Sequence, residues 1–343
     1  MKYWQYLVRR LAGILVSLIG LSVIIFTTSR VLPGNPARMA LGALASEEQV
    51  QALAVEMGLN KPIPLQYLDY MRGLLVGDLG TSLETKRAVS TDIVYYLPAT
   101  LELITVSMFL TVVIGIPLGV IAAQNKDGLA DNATRLVAFF SVSVPGFFIA
   151  IMFQLIFGYL LEWLPITGRL GSEFGSGVSR FTGFLLVDTL LSGNLAAHVD
   201  AWAHIILPAL ALSLAGIGQV MRITRSSMID VKDQDYVEAE RGFGLPSWLV
   251  TYKYTLKNAF IPTLTILGLL YASLLGNAFL IELVYSWPGL ASYGVTAVLN
   301  NDFNAVVGVT MTIGVAFVSI NFLVDVLLGR VDPRIRLAME GST

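Results

Sequence analysis

The residues that usually carry catalysis are nearly absent from this sequence. There is no cysteine, which excludes thiolate nucleophiles, thiolate metal sites and disulfides. The two histidines, His198 and His204, are too few for a histidine-built zinc site. Every lysine follows a residue other than glycine, so the Gly-Lys-Ser/Thr loop that cradles ATP phosphates cannot form. Asp78, in Gly77-Asp78-Leu79-Gly80, reads as a turn rather than a metal ligand. Glu102 and Asp325 border apolar runs but near opposite ends of them, so no acid–base pair is expected. The expectation is a protein with no catalytic residue, no metal and no cofactor of its own.

The chemistry on offer is that of a contact surface. Tyr236-Val237-Glu238-Ala239-Glu240-Arg241-Gly242-Phe243-Gly244 is a polar, helix-forming stretch within a charged segment between two long apolar runs. Such a stretch cannot lie in lipid, where charged groups are expensive. Asp233 or Asp235 could cap the helix, and Glu238 falls near its positive end. Ala239 is small enough for a partner to approach closely. Gly244 supplies a left-handed stop, and Pro246 prevents continuation. A short rod of this kind, held between two membrane helices, could move both as one body when a bound partner moves.

The elements that position this rod follow from composition. The chain has 343 residues, of which 55% are hydrophobic and 13% charged. Its mean hydropathy is +0.71. A soluble chain carries roughly a quarter charged residues, so the deficit points to a polytopic membrane protein. A net charge of −2 gives no bulk attraction to nucleic acid. Six uncharged runs are long enough to cross a bilayer as helices: 11–29, 103–125, 136–161, 201–221, 258–281 and 303–324. A further run, 283–301, contains Trp287-Pro288-Gly289 and Tyr293-Gly294, and its broken pattern reads as an extracytoplasmic loop dipping at the interface, with its aromatics at headgroup level. Lys and Arg concentrate in the N-terminal tail, 124–135, 222–257 and the C-terminal tail, which makes both termini cytoplasmic. The first apolar run reads as a retained anchor rather than a cleaved signal. The fold class is therefore all-α, with six transmembrane helices.

Outside the spans, 33–98 is the longest hydrophilic region. Ser46 can cap a helix that carries Glu47 and Glu48 in its first turn and stops at Gly58. Lys61-Pro62-Ile63-Pro64 breaks the chain, 65–75 reads as a second short helix, and Gly73, Gly77 and Gly80 discourage long regular structure. Pro98 is expected to open the second span. Within the spans, Pro117, Pro145-Gly146 and Pro208 predict kinks. Gln154, Gln219, Asn277 and Asn321 lie deep enough either to line a polar path or to bond between helices. Glu102 reads as an interfacial carboxylate at a positive helix end, Asp325 as the partner of a nearby basic residue, and His204 as a capping or packing residue.

In order along the chain stand Leu32-Pro33-Gly34-Asn35-Pro36, Gly58-Leu59-Asn60-Lys61-Pro62 with Gln66-Tyr67, Gly77-Asp78-Leu79-Gly80-Thr81-Ser82, and Leu97-Pro98-Ala99-Thr100-Leu101-Glu102-Leu103. There follow His204-Ile205-Ile206-Leu207-Pro208-Ala209, Arg222-Ile223-Thr224-Arg225-Ser226-Ser227-Met228, Ser286-Trp287-Pro288-Gly289-Leu290, Asn321-Phe322-Leu323-Val324-Asp325 and Asp332-Pro333-Arg334-Ile335-Arg336. Their order and spacing resemble the first permease subunit of bacterial dipeptide and oligopeptide importers of the ATP-binding-cassette superfamily. The family's coupling motif is matched by Glu238-Ala239 and Gly244. Glu240 stands where a second alanine is usual, and Tyr254-Thr255-Leu256-Lys257 replaces the usual Ile-x-Leu-Pro.

The resemblance implies a type I importer transmembrane fold in a prokaryotic inner membrane. It implies a cytoplasmic N-terminal tail and first transmembrane helix over 1–32, an extracytoplasmic loop region over 33–98, a permease core over 99–329 with a cytoplasmic coupling loop over 222–258, and a cytoplasmic tail over 330–343. Tyr236, Glu238, Ala239, Glu240, Arg241, Gly244 and Leu256 would engage the ATPase, and Trp287, Pro288 and Gly289 would receive an extracytoplasmic binding protein. The implied partners are a second homologous permease, two ATPase subunits that hold ATP and magnesium, that binding protein and the lipid membrane, with no nucleic acid. The implied cargo is a di- or oligopeptide. Nickel, glutathione, opines, plant-derived compounds and oligosaccharides are carried by the same family. An ion-coupled secondary transporter is the alternative of a different class; it would need an ionisable pair at mid-membrane. A membrane enzyme ranks last, for want of a catalytic constellation.

Overall fold

The structure, a computed structural model, describes residues 3–31, 36–42, 45–56, 58–175 and 177–331. The helices are α1 (Tyr3–Val31), α2 (Pro36–Leu41), α3 (Glu47–Glu56), α4 (Ile63–Val76), α5 (Val89–Gln124), α6 (Leu129–Ser143), α7 (Gly146–Phe153), α8 (Leu185–Leu191), α9 (Leu195–Lys232), α10 (Asp235–Gly242), α11 (Ser247–Leu249), α12 (Lys257–Val284), α13 (Leu290–Leu299) and α14 (Phe303–Val331). Two π-helical stretches extend them: Gln154–Leu160 continues α7, and Val250–Leu256 joins α11 to α12. An isolated bridge, Thr81 to Ala88, is the only β-pairing among the described residues. The motif residues 32–35 and 332–336 lie outside them.

Five described helical segments are long and apolar enough to cross a membrane: Val8–Thr28, Val89–Gln124, Leu195–Lys232, Ser247–Val284 and Phe303–Val326. The uncharged runs of the sequence sit inside these longer helices. A bilayer selects only the residues that cross hydrocarbon, while a helix continues into the aqueous layers until a backbone signal stops it. The run 136–161 is the exception to a single span. It comprises α6 and the Gly146–Leu160 helix, which meet at a 103° bend. Pro145 explains the break: it has no N–H to continue the ladder, and it forces Val144 into the extended region at φ −95°, ψ 128°. The pair counts as a sixth span when read as one broken crossing.

Other expectations are corrected. Pro98 does not open the second span, because α5 begins at Val89 and carries Pro98 inside it. Pro62 and Pro64 do not merely break the chain: Pro62 is the N-cap of α4 and Pro64 sits in its first turn, where a missing N–H costs nothing. The segment 283–301 is not a loop with interfacial aromatics. It contains α13, and both Trp287 and Tyr293 are buried in protein. The prediction of a capped helix after Ser46 is met: Gln49 N–H donates to Ser46 Oγ at 3.3 Å and Ser46 N–H to Gln49 Oε1 at 3.0 Å, a reciprocal capping pair.

The chain divides into two compact units, one centred on Ala99–Trp287 with the last helix from Phe317, the other on Leu7–Pro98 and Pro288–Ala316. In the first, α9 packs against α5, α6, α7 and α12. The contact with α5 is close because Gly119 has no side chain: a Cβ there would stand 2.8 Å from the Met221 carbonyl oxygen. In the second, Val89, Ile93, Leu290, Tyr293, Ala297, Ala305 and Val309 form a core, and two buried aspartates organise the loop over 77–88. Asp302 Oδ2 accepts Ser82 Oγ–H at 2.5 Å, Leu83 N–H at 2.6 Å and Glu84 N–H at 3.2 Å. Asp92 pairs with Arg87 at 2.6 Å and accepts the Tyr293 hydroxyl at 3.1 Å. Asp78 Oδ1 accepts Gly80 N–H at 3.0 Å, so this carboxylate makes a turn.

Asp302→Ala would strand these three donors, each at a cost of about 1–3 kcal/mol if left without a partner. The expected result is a clear fall in thermal stability of the detergent-purified protein and new proteolytic cutting within 77–88. Unchanged melting and cutting would contradict the assignment.

Candidate functional site

The polar stretch forms α10, tied down between α9 and the segment that leads into α12. Its entry differs from expectation. Neither Asp233 nor Asp235 caps it: Asp233 closes α9, Asp235 is the first residue of α10, and Gln234 takes the N-cap position in the extended region without a side-chain cap bond. Asp235 and Glu238 still place carboxylates in the first turn, where the helix dipole favours them. At the exit, Gly244 has φ 77°, a conformation that a residue with a Cβ resists, and its N–H bonds Arg241 O at 2.9 Å.

The inner face of α10 is fastened by two residues. Val237 is fully buried. The Tyr236 hydroxyl accepts the Asn258 side-chain amide at 2.7 Å and points its own hydrogen at Tyr254 O at 3.4 Å. Leu256 does not face outward with the others. It packs on a small core of Val120, Ala123, Met228 and Ala259, contributed by the ends of α5 and α9 and the start of α12. Gln124 Nε2 donates to Thr251 Oγ1 at 3.1 Å, and Thr224 and Thr263 share a hydroxyl hydrogen bond of 3.1 Å. The outer face presents Glu238, Ala239, Arg241 and Gly242, with Glu240 half-buried. Beside them stand Phe243, 82% exposed, and Trp248, 65% exposed. The sequence reading passed over these two aromatics, although large rings inside a charged loop are themselves a sign of a contact surface.

At the opposite end of the same unit lies a buried polar cluster. Glu102 is not an interfacial carboxylate at a helix end. It sits well inside α5, is 4% exposed, forms an ion pair with Arg169 and accepts Leu186 N–H at 2.7 Å. The Arg169 guanidinium also donates to Gly183 O at 3.2 Å and lies 5.4 Å from the centre of the Trp287 ring. Glu282 is fully buried and accepts Thr100 Oγ1–H at 2.5 Å. Trp287 Nε1–H donates to Ala99 O at 3.0 Å. Nearby, burial raises the Asp188 carboxyl, but hydrogen bonds from Thr182 and Gly183 outweigh it and hold the group below the ordinary carboxylate range. Of the three residues assigned to binding-protein docking, Trp287 and Gly289 are buried and only Pro288 is exposed, so the tryptophan is a packing residue in this conformation.

The four deep amides separate by role. Gln154 bonds across elements, donating to Ile166 O at 2.7 Å and Val284 O at 2.9 Å. Asn277 and Asn321 donate back to their own helices, at Ser273 O and Phe317 O. Gln219 is half-buried on α9. His198 is bonded to Thr189 and Trp202, and His204 to Asp200, so both histidines are structural. Asp325 lies on α14, and the side chain of Arg330, the basic residue beyond it, falls outside the described residues.

Removing one member of a buried ion pair costs about 3–5 kcal/mol, because the other charge stays buried. Arg169→Met should therefore lower the melting temperature sharply, and adding Glu102→Leu should restore part of it. Two independent, additive losses would contradict a coupled pair.

Comparison with known proteins places this geometry. Residues 115–337 match the model for the binding-protein-dependent transport system inner membrane component, and residues 3–104 match the N-terminal model of the same membrane components. The probable D,D-dipeptide transport system permease protein DdpB of Escherichia coli is 38% identical, over 98% of both chains. The dipeptide transport system permease protein DppB of Alkalihalophilus pseudofirmus is 37% identical, over 96% of this chain and 99% of its own. The glutathione transport system permease protein GsiC of Pectobacterium atrosepticum is 32% identical, over 97% of this chain and 99% of its own. With two family models covering most of its length and permeases matched end to end, the chain belongs to the inner membrane components of binding-protein-dependent transport systems, as a multi-pass permease subunit of the bacterial inner membrane.

Proposed function

We propose that this permease works in an ATP-driven importer of di- or oligopeptides, beside a second homologous permease, two ATPase subunits that bind ATP and magnesium, and an extracytoplasmic binding protein. The observation that carries the reading is the mounting of α10. Its outer face is open to a partner, while its inner face is bonded through Tyr236 and packed, through the adjoining Leu256, against the ends of three spans. A push on such a helix is delivered to the spans as displacement rather than lost in a loose loop. The α10 end carries the Lys and Arg excess and is assigned to the cytoplasm. The peptide assignment draws on the dipeptide systems named for two relatives, and glutathione, itself a peptide, is the nearest alternative.

Because the chain has no native cysteine, Ala239→Cys gives a unique thiol on the outer face of α10. In the intact transporter it should be reached only by membrane-permeant reagents and should cross-link to an ATPase subunit. Labelling from outside the cell, or cross-links that never reach a nucleotide hydrolase, would refute the reading. Gly244→Val strains the left-handed exit by about 1–2 kcal/mol, and should weaken ATPase recovery or uptake while the chain still inserts. Normal uptake and recovery would remove Gly244 from that role.

Two further experiments separate the alternatives. Uptake should survive collapse of the proton gradient while ATP stays high, and its loss would favour an ion-coupled carrier. Titrating the binding protein with dipeptides, glutathione and sugars identifies the cargo, with peptide the expected ligand.

A further inference from the structure

A cavity of about 540 Å³ runs between α6 and α9, at the end of the bundle nearest α10. Its lining changes character along its length. Arg135, Arg222 and Arg225 stand at the α10 end, and Phe139, Val142 and Gly218 line the part that reaches toward mid-span. Phe139 is 74% exposed and Val142 60% exposed, so this apolar wall is open to whatever lies alongside. The basic end is built rather than incidental. Asp131, fully buried, accepts Arg225 Nη2–H and Arg135 Nη2–H at 2.7 Å each, and also accepts from Arg225 Nε. Asp127 accepts a further hydrogen bond from Arg135 at 3.0 Å. These bonds fix two guanidiniums in place. Arg222, exposed, makes no ion pair among the described residues. Three guanidinium charges thus face two carboxylates, and the excess is positive.

We propose that this cavity holds an anionic phospholipid of the cytoplasmic leaflet, its phosphate on Arg222 beside Arg135 and Arg225 and an acyl chain along Phe139 and Val142. A soluble anion would have no use for the apolar wall, and a neutral lipid none for the arginines. The order of the lining, basic at the aqueous level and apolar toward mid-span, matches a lipid standing in its leaflet. A lipid wedged there would set the spacing of α6 against α9, whose last residue, Lys232, is two residues before the α10 cap, Gln234. The leaflet assignment rests on the cytoplasmic placement of α10. The binding itself does not, and it is read without transport.

The test is native mass spectrometry of the intact transporter released from detergent containing equal phosphatidylglycerol and phosphatidylcholine. Phosphatidylglycerol should be retained in preference. Arg222→Gln should lower that preference about fivefold, the weight of one basic residue at a membrane surface, and Arg222→Lys should keep most of it. Equal retention of the two lipids, a preference unmoved by Arg222→Gln, or displacement of phosphatidylglycerol by inorganic phosphate would each overturn the proposal.

Discussion

A helix outside the membrane can act on a gate inside it only if it is fastened more firmly than the gate resists. In the coupling role proposed for α10, that constraint falls on residues 222–263. The Tyr236 hydroxyl and the Asn258 amide are 2.7 Å apart, joining α10 to the start of α12. Leu256 sits on a core drawn from α5, α9 and α12. Neither contact is large: one hydrogen bond contributes about 0.5–1.5 kcal/mol, and Leu256, only half-buried, contributes less than the about 1.5–3 kcal/mol of a fully buried leucine. Their effect is geometric. They tie α10 to the start of α12 and to the ends of the spans, while Gly244 and Pro246 end it cleanly on the far side. The close approach of α5 and α9 at Gly119 extends the fastening into the bundle.

The far end of the same unit obeys a different rule. Charged and polar groups buried where water is scarce must find partners within the protein. Glu102 finds Arg169 and an amide N–H, Glu282 finds Thr100, Trp287 finds a carbonyl, and Gln154 spans two carbonyls. Each bond joins a span to an intervening segment or to another span. These polar contacts stand among tightly packed apolar side chains, Leu103, Ile104, Ile205, Leu207, Ile281 and Tyr285, all buried.

Much of this was legible in the sequence. Five spans announce themselves as uncharged runs, because a bilayer tolerates little else, and the left-handed Gly244 follows from a glycine before Leu-Pro. What was misread has one source: sequence reports where charges are, not what they meet. Glu102 marks the edge of an apolar run only when its charge is taken as exposed, and its partner Arg169 is distant along the chain. Pro98 looks like a helix start until α5 is seen to begin at Val89. Trp287 reads as an interfacial aromatic beside a proline and a glycine, yet its ring is 1% exposed because Ala99 O and Arg169 enclose it. Pro145 predicts a kink, and only packing determines that the bend reaches 103°.

The central claim is that α10 and the spans it joins move as one body. The most direct measurement uses pulsed electron resonance between spin labels in the intact transporter, with and without a non-hydrolysable nucleotide. One label is placed at Glu238 on α10 and the other at Ser226 on α9, with a second pair joining Glu238 to the ATPase subunit proposed to serve the second permease, the opposite half of the transporter. The account predicts a fixed distance within the chain while the distance to the opposite half changes. A distance from 238 to 226 that shifts with nucleotide would show α10 swinging on its own, and would contradict it.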